Sequence, residues 1–378
     1  MFRRSYRLPF RLLGIPLRLD PTFLVVLPLL AWLIGSRVGA YVRLLRLPID
    51  PGALEQGATP YALGLAAAVG LFGSVLVHEL GHAVIARAYH VRVRHITLWL
   101  LGGMAQVDEI PRRGPAEAII AAAGPATSLL VAAACRLVLG LVPPDAPAGQ
   151  FLVGYLTYTN VALALFNLLP ALPLDGGRIL RSLLGLRMPH LQATQIAADV
   201  SRGLAVALGL VGFLSGNLFL LLVAFFIYMA VAGETQHALI AEILHDVPVA
   251  DVMTREVRTV PADMRIADLL QVMLRERHLG YPVVDRAGRL VGMVDLADLA
   301  GKAPEDLVEA VMSRDVDTIA LTATALDAFL RMSRRNFGRL VVVGRDREMV
   351  GILSKTDLIR AIQIRMVVAG MPAEPAAG

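Results

Sequence analysis

Cysteine is almost missing from this chain. Of its 378 residues only Cys135 is one, so no disulfide can form within it. Lysine is nearly as scarce, with Lys302 and Lys355 the only two. Charged residues make up 18% of the chain, against roughly 25% in an ordinary soluble domain. Apolar residues fill the space: 56% of the chain is hydrophobic and the mean hydropathy is +0.63. That balance points to membrane segments. The formal net charge of +5 is carried mostly by arginines that flank apolar runs. Such placement sets topology, and no nucleic-acid partner is expected. The Arg-, Ala- and Gly-rich usage suggests a GC-rich prokaryotic genome.

The ~20-residue helix a bilayer requires divides the first part of the chain into about six spans. They are Pro21–Gly35, Tyr61–Ala86, about Ala116–Val142 with a kink at Gly124-Pro125, about Phe151–Leu169, and two that share Val200–Val231. Ser215-Gly216-Asn217 is the turn-like cluster dividing the last two. Arginines then orient the chain. Arg3, Arg4, Arg7, Arg11 and Arg18 precede the first span, Arg87, Arg92, Arg94, Arg112 and Arg113 follow the second, and Arg178, Arg181 and Arg187 follow the fourth. By the positive-inside rule these three regions are cytoplasmic, and Pro143–Gln150, which has no basic residue, is outside. Arg37, Arg43 and Arg46 after the first span disagree and are outvoted. A multi-pass protein of the cell membrane is expected, with both termini cytoplasmic. No clear A-x-A-like site follows the first span, which therefore reads as a retained anchor.

Within the second span stands His78-Glu79-Leu80-Gly81-His82. Residues four apart share a helix face, so both histidines can grip one metal ion with Glu79 beside it. Two imidazoles and a carboxylate are costly in lipid unless they face a cavity and have a task there. A catalytic zinc keeps three protein ligands and one open position. The best third ligand is Asp175, in the stretch Asn167-Leu-Leu-Pro170-Ala-Leu-Pro173-Leu-Asp175-Gly176-Gly177. Its prolines end the fourth span and turn the backbone inward, and its glycines permit a tight approach to the metal. Glu79 is the candidate general base. Asn167 is placed to hydrogen-bond the substrate backbone or a developing oxyanion.

After about Glu234 the hydrophobic runs shorten and charges return. Here an offset of 59 pairs Met253 with Met312, Asp268 with Asp327, Gly292 with Gly351 and Asp298 with Asp357, without a gap. Each copy reads helix, strand, charged turn, strand, helix. One copy cannot bury its core alone, so the two should pair.

Several spaced motifs agree on a family. His78–His82 matches the His-Glu-x-x-His of the site-2 protease family of intramembrane zinc metalloproteases, and Asn167–Gly177 its Asn…Pro…Leu-Asp-Gly motif. Leu101-Gly102-Gly103 resembles that family's membrane-embedded edge strand, which implies that Gly102 and Gly103 bind substrate. Ala123-Gly124-Pro125 is similar to a motif in the third span of relatives. The 59-residue repeat resembles a pair of cystathionine-β-synthase (CBS) domains, whose cleft often binds adenine nucleotides. That resemblance implies ATP or AMP near Ser354, Thr356 and Asp357 of the second copy, with Asp298 at the equivalent place in the first. Asp295 stands where the first copy needs a hydroxyl, and its carboxylate should repel phosphate.

The expected fold is therefore a polytopic α-helical membrane domain of about six transmembrane helices, followed by a soluble α/β CBS-domain pair. The expected boundaries are 1–235 for the zinc metalloprotease domain, 236–247 for a linker, 248–303 and 304–366 for the CBS domains, and 367–378 for a disordered tail. The expected activity is cleavage of single-span or membrane-associated proteins, such as an anti-sigma or pro-sigma factor, with one zinc per chain. CBS domains also offer a surface for homo-oligomers. The second reading is a CBS-gated transporter or channel with the histidines as an ion site. Transport, however, has no use for the general base that His-Glu-x-x-His supplies.

Overall fold

The computed structural model describes residues 5–99, 102–107, 115–335, 337–345 and 348–368. Arg3, Arg4, Leu101, Arg112 and Arg113, which entered the sequence reading, lie outside them. Two compact units emerge, Met1–Thr235 and Gln236–Gly378.

The first unit opens with a hairpin of β1 (Tyr6–Leu12) and β2 (Ile15–Leu19). Arg7, Arg11 and Arg18, read from sequence as topology signals alone, sit within its strands. The hairpin leads into α1 (Pro21–Gly35), α2 (Val38–Leu44) and the 30-residue α3 (Thr59–Ala88). Then come β3 (Val93–Trp99) and β4 (Gly102–Val107), followed by α4 (Ala116–Leu139), α5 (Pro147–Asn167), α6 (Asp175–Gly185), α7 (His190–Leu214) and α8 (Leu218–His245). The four strands form one sheet in the order β1-β2-β3-β4, with β2 parallel to β3 and the other pairs antiparallel. Ile15, Leu17, Val93 and Ile96 of this sheet bury against Ala83, Ala86 and Ile120. That packing presses the sheet onto the end of α3 that carries the histidines.

Among the described residues four helices are long and apolar enough to cross a membrane: α3, α4, α7 and α8. α1 and α2 make a fifth if this pair, bent by 66°, counts as one span. α5 has the length but not the apolarity, because Gln150, Thr157, Thr159, Asn160 and Asn167 dilute it. Asn160 is fully buried and donates to Ser74 Oγ at 2.8 Å, so its polarity serves to join α5 to α3. The turn at Ser215–Asn217 falls between α7 and α8, with Gly216 at φ +63°. α7 begins ten residues before the expected start of the fifth span. The stretch expected to be a linker, 236–247, is helical as far as His245.

The second unit contains α9 (Val249–Val252), β5 (Val260–Pro261), α10 (Ile266–Glu276), β6 (Gly280–Val284), β7 (Leu290–Asp295) and α11 (Val308–Val311). The second copy continues with β8 (Thr318–Ala320), α12 (Ala325–Arg335), β9 (Arg339–Val343), β10 (Met349–Ser354) and α13 (Lys355–Val368). α13 takes in the first two residues of the expected tail, and the rest of that tail lies outside the described residues. Two three-stranded sheets result, β5-β6-β7 and β10-β9-β8. The copies exchange their openings. Thr254 bridges Ile352 of the second copy, and Ser313 bridges Met293 of the first. A Cβ on Gly351 would stand 2.6 Å from Met253 Sδ, and one on Gly292 2.5 Å from Met312 Sδ. The repeated Met and Gly are thus the two halves of one contact, made twice across the pair. Ile243, Leu244, Val247 and Val249 bury with Ile319, Leu340 and Leu353, so the end of α8 contributes to this core.

Candidate metal centre

His78 and His82 occupy successive turns of α3, and Asp175 opens α6. His78 and Asp175 are buried at 4% and 7% exposure. The two Nε2 atoms are 3.2 Å apart. Asp175 Oδ2 lies 3.2 Å from His78 Nε2 and 3.3 Å from His82 Nε2. A tetrahedral zinc with bonds of about 2.0–2.1 Å has ligand atoms about 3.3 Å apart. The donor triangle therefore has the size of one face of that tetrahedron, and the three side chains are grouped to hold an ion.

The far side of each ring is also held. His82 Nδ1 donates to the Ile120 carbonyl at 2.7 Å, because a carbonyl only accepts. Its Nε2 then carries the lone pair that a metal needs. His78 Nδ1 stands 2.9 Å from Ser128 Oγ. Ile120, Gly124 and Ser128 are spaced by four along α4 and so share one face. Gly124 leaves open the space between the rings: a Cβ there would stand 2.2 Å from His82 Nε2 and 2.6 Å from His78 Nε2. Its role was not legible beforehand, since the sequence reading treated Gly124-Pro125 as a kink and a family likeness.

The loop 168–174 with Pro170 and Pro173 ends α5 and delivers Asp175 as the first residue of α6. The following glycines do something other than approach a metal. A Cβ on Gly176 would stand 2.3 Å from the Leu168 and Leu169 carbonyl oxygens, and one on Gly177 2.3 Å from the Leu172 nitrogen. They seat the start of α6 on its own preceding loop, which fixes where Asp175 points.

A cavity of about 350 Å³ opens on the histidines and is lined by Glu79, Gly103, Asn167, Asp175 and Arg178 among others. Glu79 and Asn167 thus share one space with the donor triangle. Asn167 spends one amide N–H on the Leu163 carbonyl at 2.9 Å, which leaves it a second. β4 ends the sheet order, and Gly103 brings it against α3: a Cβ there would stand 2.6 Å from Glu79 Cγ. Gly102 has φ +132°, a conformation that L side chains rarely adopt.

Arg181, expected as a cytoplasmic loop residue, lies half-buried within α6 and pairs with Glu117 and with Glu234, the latter at 3.2 Å. It ties α4, α6 and α8 together. The positive-inside count missed this because it weighs charges without their partners.

In the second unit, Asp357 Oδ2 accepts from the Ser354 amide at 2.9 Å and from its hydroxyl at 2.6 Å. Thr356 is exposed. Asp298 accepts from the Asp295 amide at 2.8 Å in the matching cap of the first copy. Asp295 is not a bare negative charge, since Arg339 Nη1 stands 3.1 Å away. Burial pushes the Asp295 carboxyl above the ordinary carboxylate range; Arg339 opposes the shift and Asp298 adds to it. Asp295, Asp298 and Arg339 line a smaller cavity of about 190 Å³.

Apolar helices enclosing a buried His-His-Asp triangle with a neighbouring glutamate define a membrane metallohydrolase. Comparison with known proteins gives the particular family. Residues 66–149 and 146–208 match the profile of peptidase family M50, and 249–305 and 308–364 match the CBS domain. The zinc metalloprotease MJ0392 of Methanocaldococcus jannaschii is 36% identical over 294 residues, 78% of this chain and 84% of that protein. Rip3 of Mycobacterium tuberculosis is 34% identical over 379 residues, covering 94% of this chain and 92% of its own. Among solved structures, a site-2 protease from Methanocaldococcus jannaschii is 32% identical, with a TM-score of 0.43 over 61% of this chain and 95% of its own. The chain belongs to peptidase family M50, the zinc metalloproteases of site-2 protease type, and carries a tandem CBS pair.

Proposed function

We propose that the protein cleaves single-span or membrane-associated proteins within the bilayer, with His78, His82 and Asp175 holding one zinc ion and Glu79 acting as general base. The observation that carries this reading is the equilateral donor triangle beside Glu79 in one cavity. Zinc at that place supplies Lewis acidity, which polarises a carbonyl and acidifies water. The chain's own groups do the rest. The Glu79 carboxylate takes a proton from the attacking water and returns it to the leaving nitrogen. The free N–H of Asn167 donates to the substrate carbonyl. The outer edge of β4, opened by Gly102 and Gly103, pairs with substrate backbone and holds it extended.

Metal removal tests the assignment. Purified protein should hold about one zinc per chain. A chelator should abolish cleavage of a single-span substrate in proteoliposomes, and zinc should restore it. Full zinc occupancy in the H78A/H82A double variant would overturn the ligand set. A quieter effect is expected at Ser128. S128A removes the partner that orients His78 and should weaken zinc about 10–100-fold, as such changes typically do. Competition with a chromogenic chelator measures it.

The same reading places regulation in the CBS pair. A ligand alters activity only if it binds two conformations unequally. ATP or AMP near Ser354, Thr356 and Asp357 would meet a helix N-terminus suited to anions. D357A should weaken nucleotide binding while zinc stays bound. D295T puts a hydroxyl cap in place of the carboxylate and releases Arg339, so it should strengthen binding at the first copy, near Asp298. Titration calorimetry on the full-length protein reads both. Absence of adenine-nucleotide binding by the wild type would leave the pair a structural or dimerising role.

A further inference from the structure

Arg178 stands in the catalytic cavity without an assigned task. It follows Asp175 by three residues on α6, hence on the same helix face. It lines the cavity with Glu79, Asn167 and Asp175. Its Nε is buried and makes no hydrogen bond, and among the described residues no carboxylate pairs with its guanidinium. Arg181, nearly one turn further along, shows the contrast: Glu117 and Glu234 both bind it. A guanidinium N–H drawn out of water without a partner is costly. The cost is not accidental slack, because Gly176 and Gly177 seat this end of α6 on the backbone of the preceding loop. The backbone that carries Arg178 is thus held in place, and its Nε is left without an acceptor.

Resting on the catalytic reading above, we propose that Arg178 is a substrate-binding and catalytic residue: its guanidinium donates to the carbonyl oxygen of the scissile peptide and holds the negative charge that develops there. The charge of the cavity selects this ligand over an acidic side chain. Glu79 lines the same space, whereas Glu117 and Glu234 there are already paired with Arg181 and Asp175 is grouped with the histidines, so a substrate carboxylate would be opposed by the Glu79 charge and a neutral carbonyl would not. A peptide carbonyl enters neutral and becomes anionic only as water adds. A fixed cation beside it then acts mainly on the transition state. The planar fork serves oxygen ligands from two nitrogens at once, which a lysine ammonium does less well.

The test uses full-length protein in proteoliposomes with a single-span substrate that the wild type cleaves. Rates, zinc content and the thermal midpoint are measured for R178Q and R178K, beside E79Q. R178Q should lower kcat about 100-fold, the loss typical of one oxyanion donor, with KM little changed. Zinc content and midpoint should stay at wild-type values, since among the described residues Arg178 has no hydrogen-bond or ion-pair partner to lose, and R178K should recover part of the rate. Wild-type kcat in R178Q, with E79Q inactive, would overturn the role of Arg178 and leave the catalytic reading standing. Activity in E79Q would instead overturn that reading. Loss of zinc or of thermal stability in both Arg178 variants would show a structural residue and overturn the proposal. So would a loss confined to substrates with Asp or Glu beside the cut, which would mean side-chain recognition.

Discussion

E79Q should lose roughly 10²- to 10⁴-fold in turnover, the contribution of a positioned general base, while zinc stays bound. Glutamine has the shape of glutamate but cannot take a proton. Glu79 follows His78 on α3, lines the cavity, and is no part of the His-His-Asp triangle. Its removal as a base therefore leaves all three donors in place. The pocket for the side chain also survives, because Gly103 makes room for a chain of that size and glutamine fills the same room. Turnover of a single-span substrate, measured with metal content on the same sample, checks both halves. Cleavage at the wild-type rate would remove Glu79 from the mechanism. A transporter built on the same residues would keep its transport in E79Q, so the variant also separates the two classes of function.

The second large effect is expected one helix away. G124A should lower zinc affinity by about 100-fold or more, the upper end of what changes around a ligand cause, and activity should fall with it. The added methyl would stand 2.2 Å from His82 Nε2 and 2.6 Å from His78 Nε2, beside the two nitrogens proposed to hold the ion. The rings cannot simply retreat. His82 is tied at Nδ1 to the Ile120 carbonyl, and His78 Nδ1 is in reach of Ser128. Movement would break one of these contacts as well. Helix damage cannot explain the loss, because alanine in place of a helical glycine ordinarily favours the helix by about 1 kcal/mol. Unchanged helicity by circular dichroism together with lost zinc is the expected pair of results. Wild-type zinc content in G124A would show that the space beside the nitrogens is not the metal's.

The sequence is most legible where spacing alone carries geometry. Two histidines four apart on a helix must share a face, whatever surrounds them. The 59-residue offset implies two like units, and the Met and Gly it picked out make reciprocal contacts. The sequence is least legible where meaning depends on a distant partner. Arg7, Arg11 and Arg18 were weighed only as charges, although their strands close a four-stranded sheet. Short runs broken by Pro9 and Gly14 gave little sign of that hairpin. Arg181 was placed in an exposed loop because its two glutamates lie 64 and 53 residues away. The end of α8 looked like a linker because charges return there, yet its apolar residues pack into the second unit's core.

By itself the amino-acid sequence determined the class of this protein: membrane helices from composition, a metal-binding pair from a four-residue spacing, and a doubled α/β module from an internal repeat. These depend on intervals along the chain, which folding preserves. Only the tertiary structure decided that Asp175, 97 residues from His78 in sequence, stands 3.2 Å from it in space. It also decided that Gly124 keeps the space between the rings clear, and that one of two neighbouring arginines is satisfied while the other faces the cavity. Such facts belong to pairs of residues on different helices. Packing brings those helices together, and no interval along the chain records it.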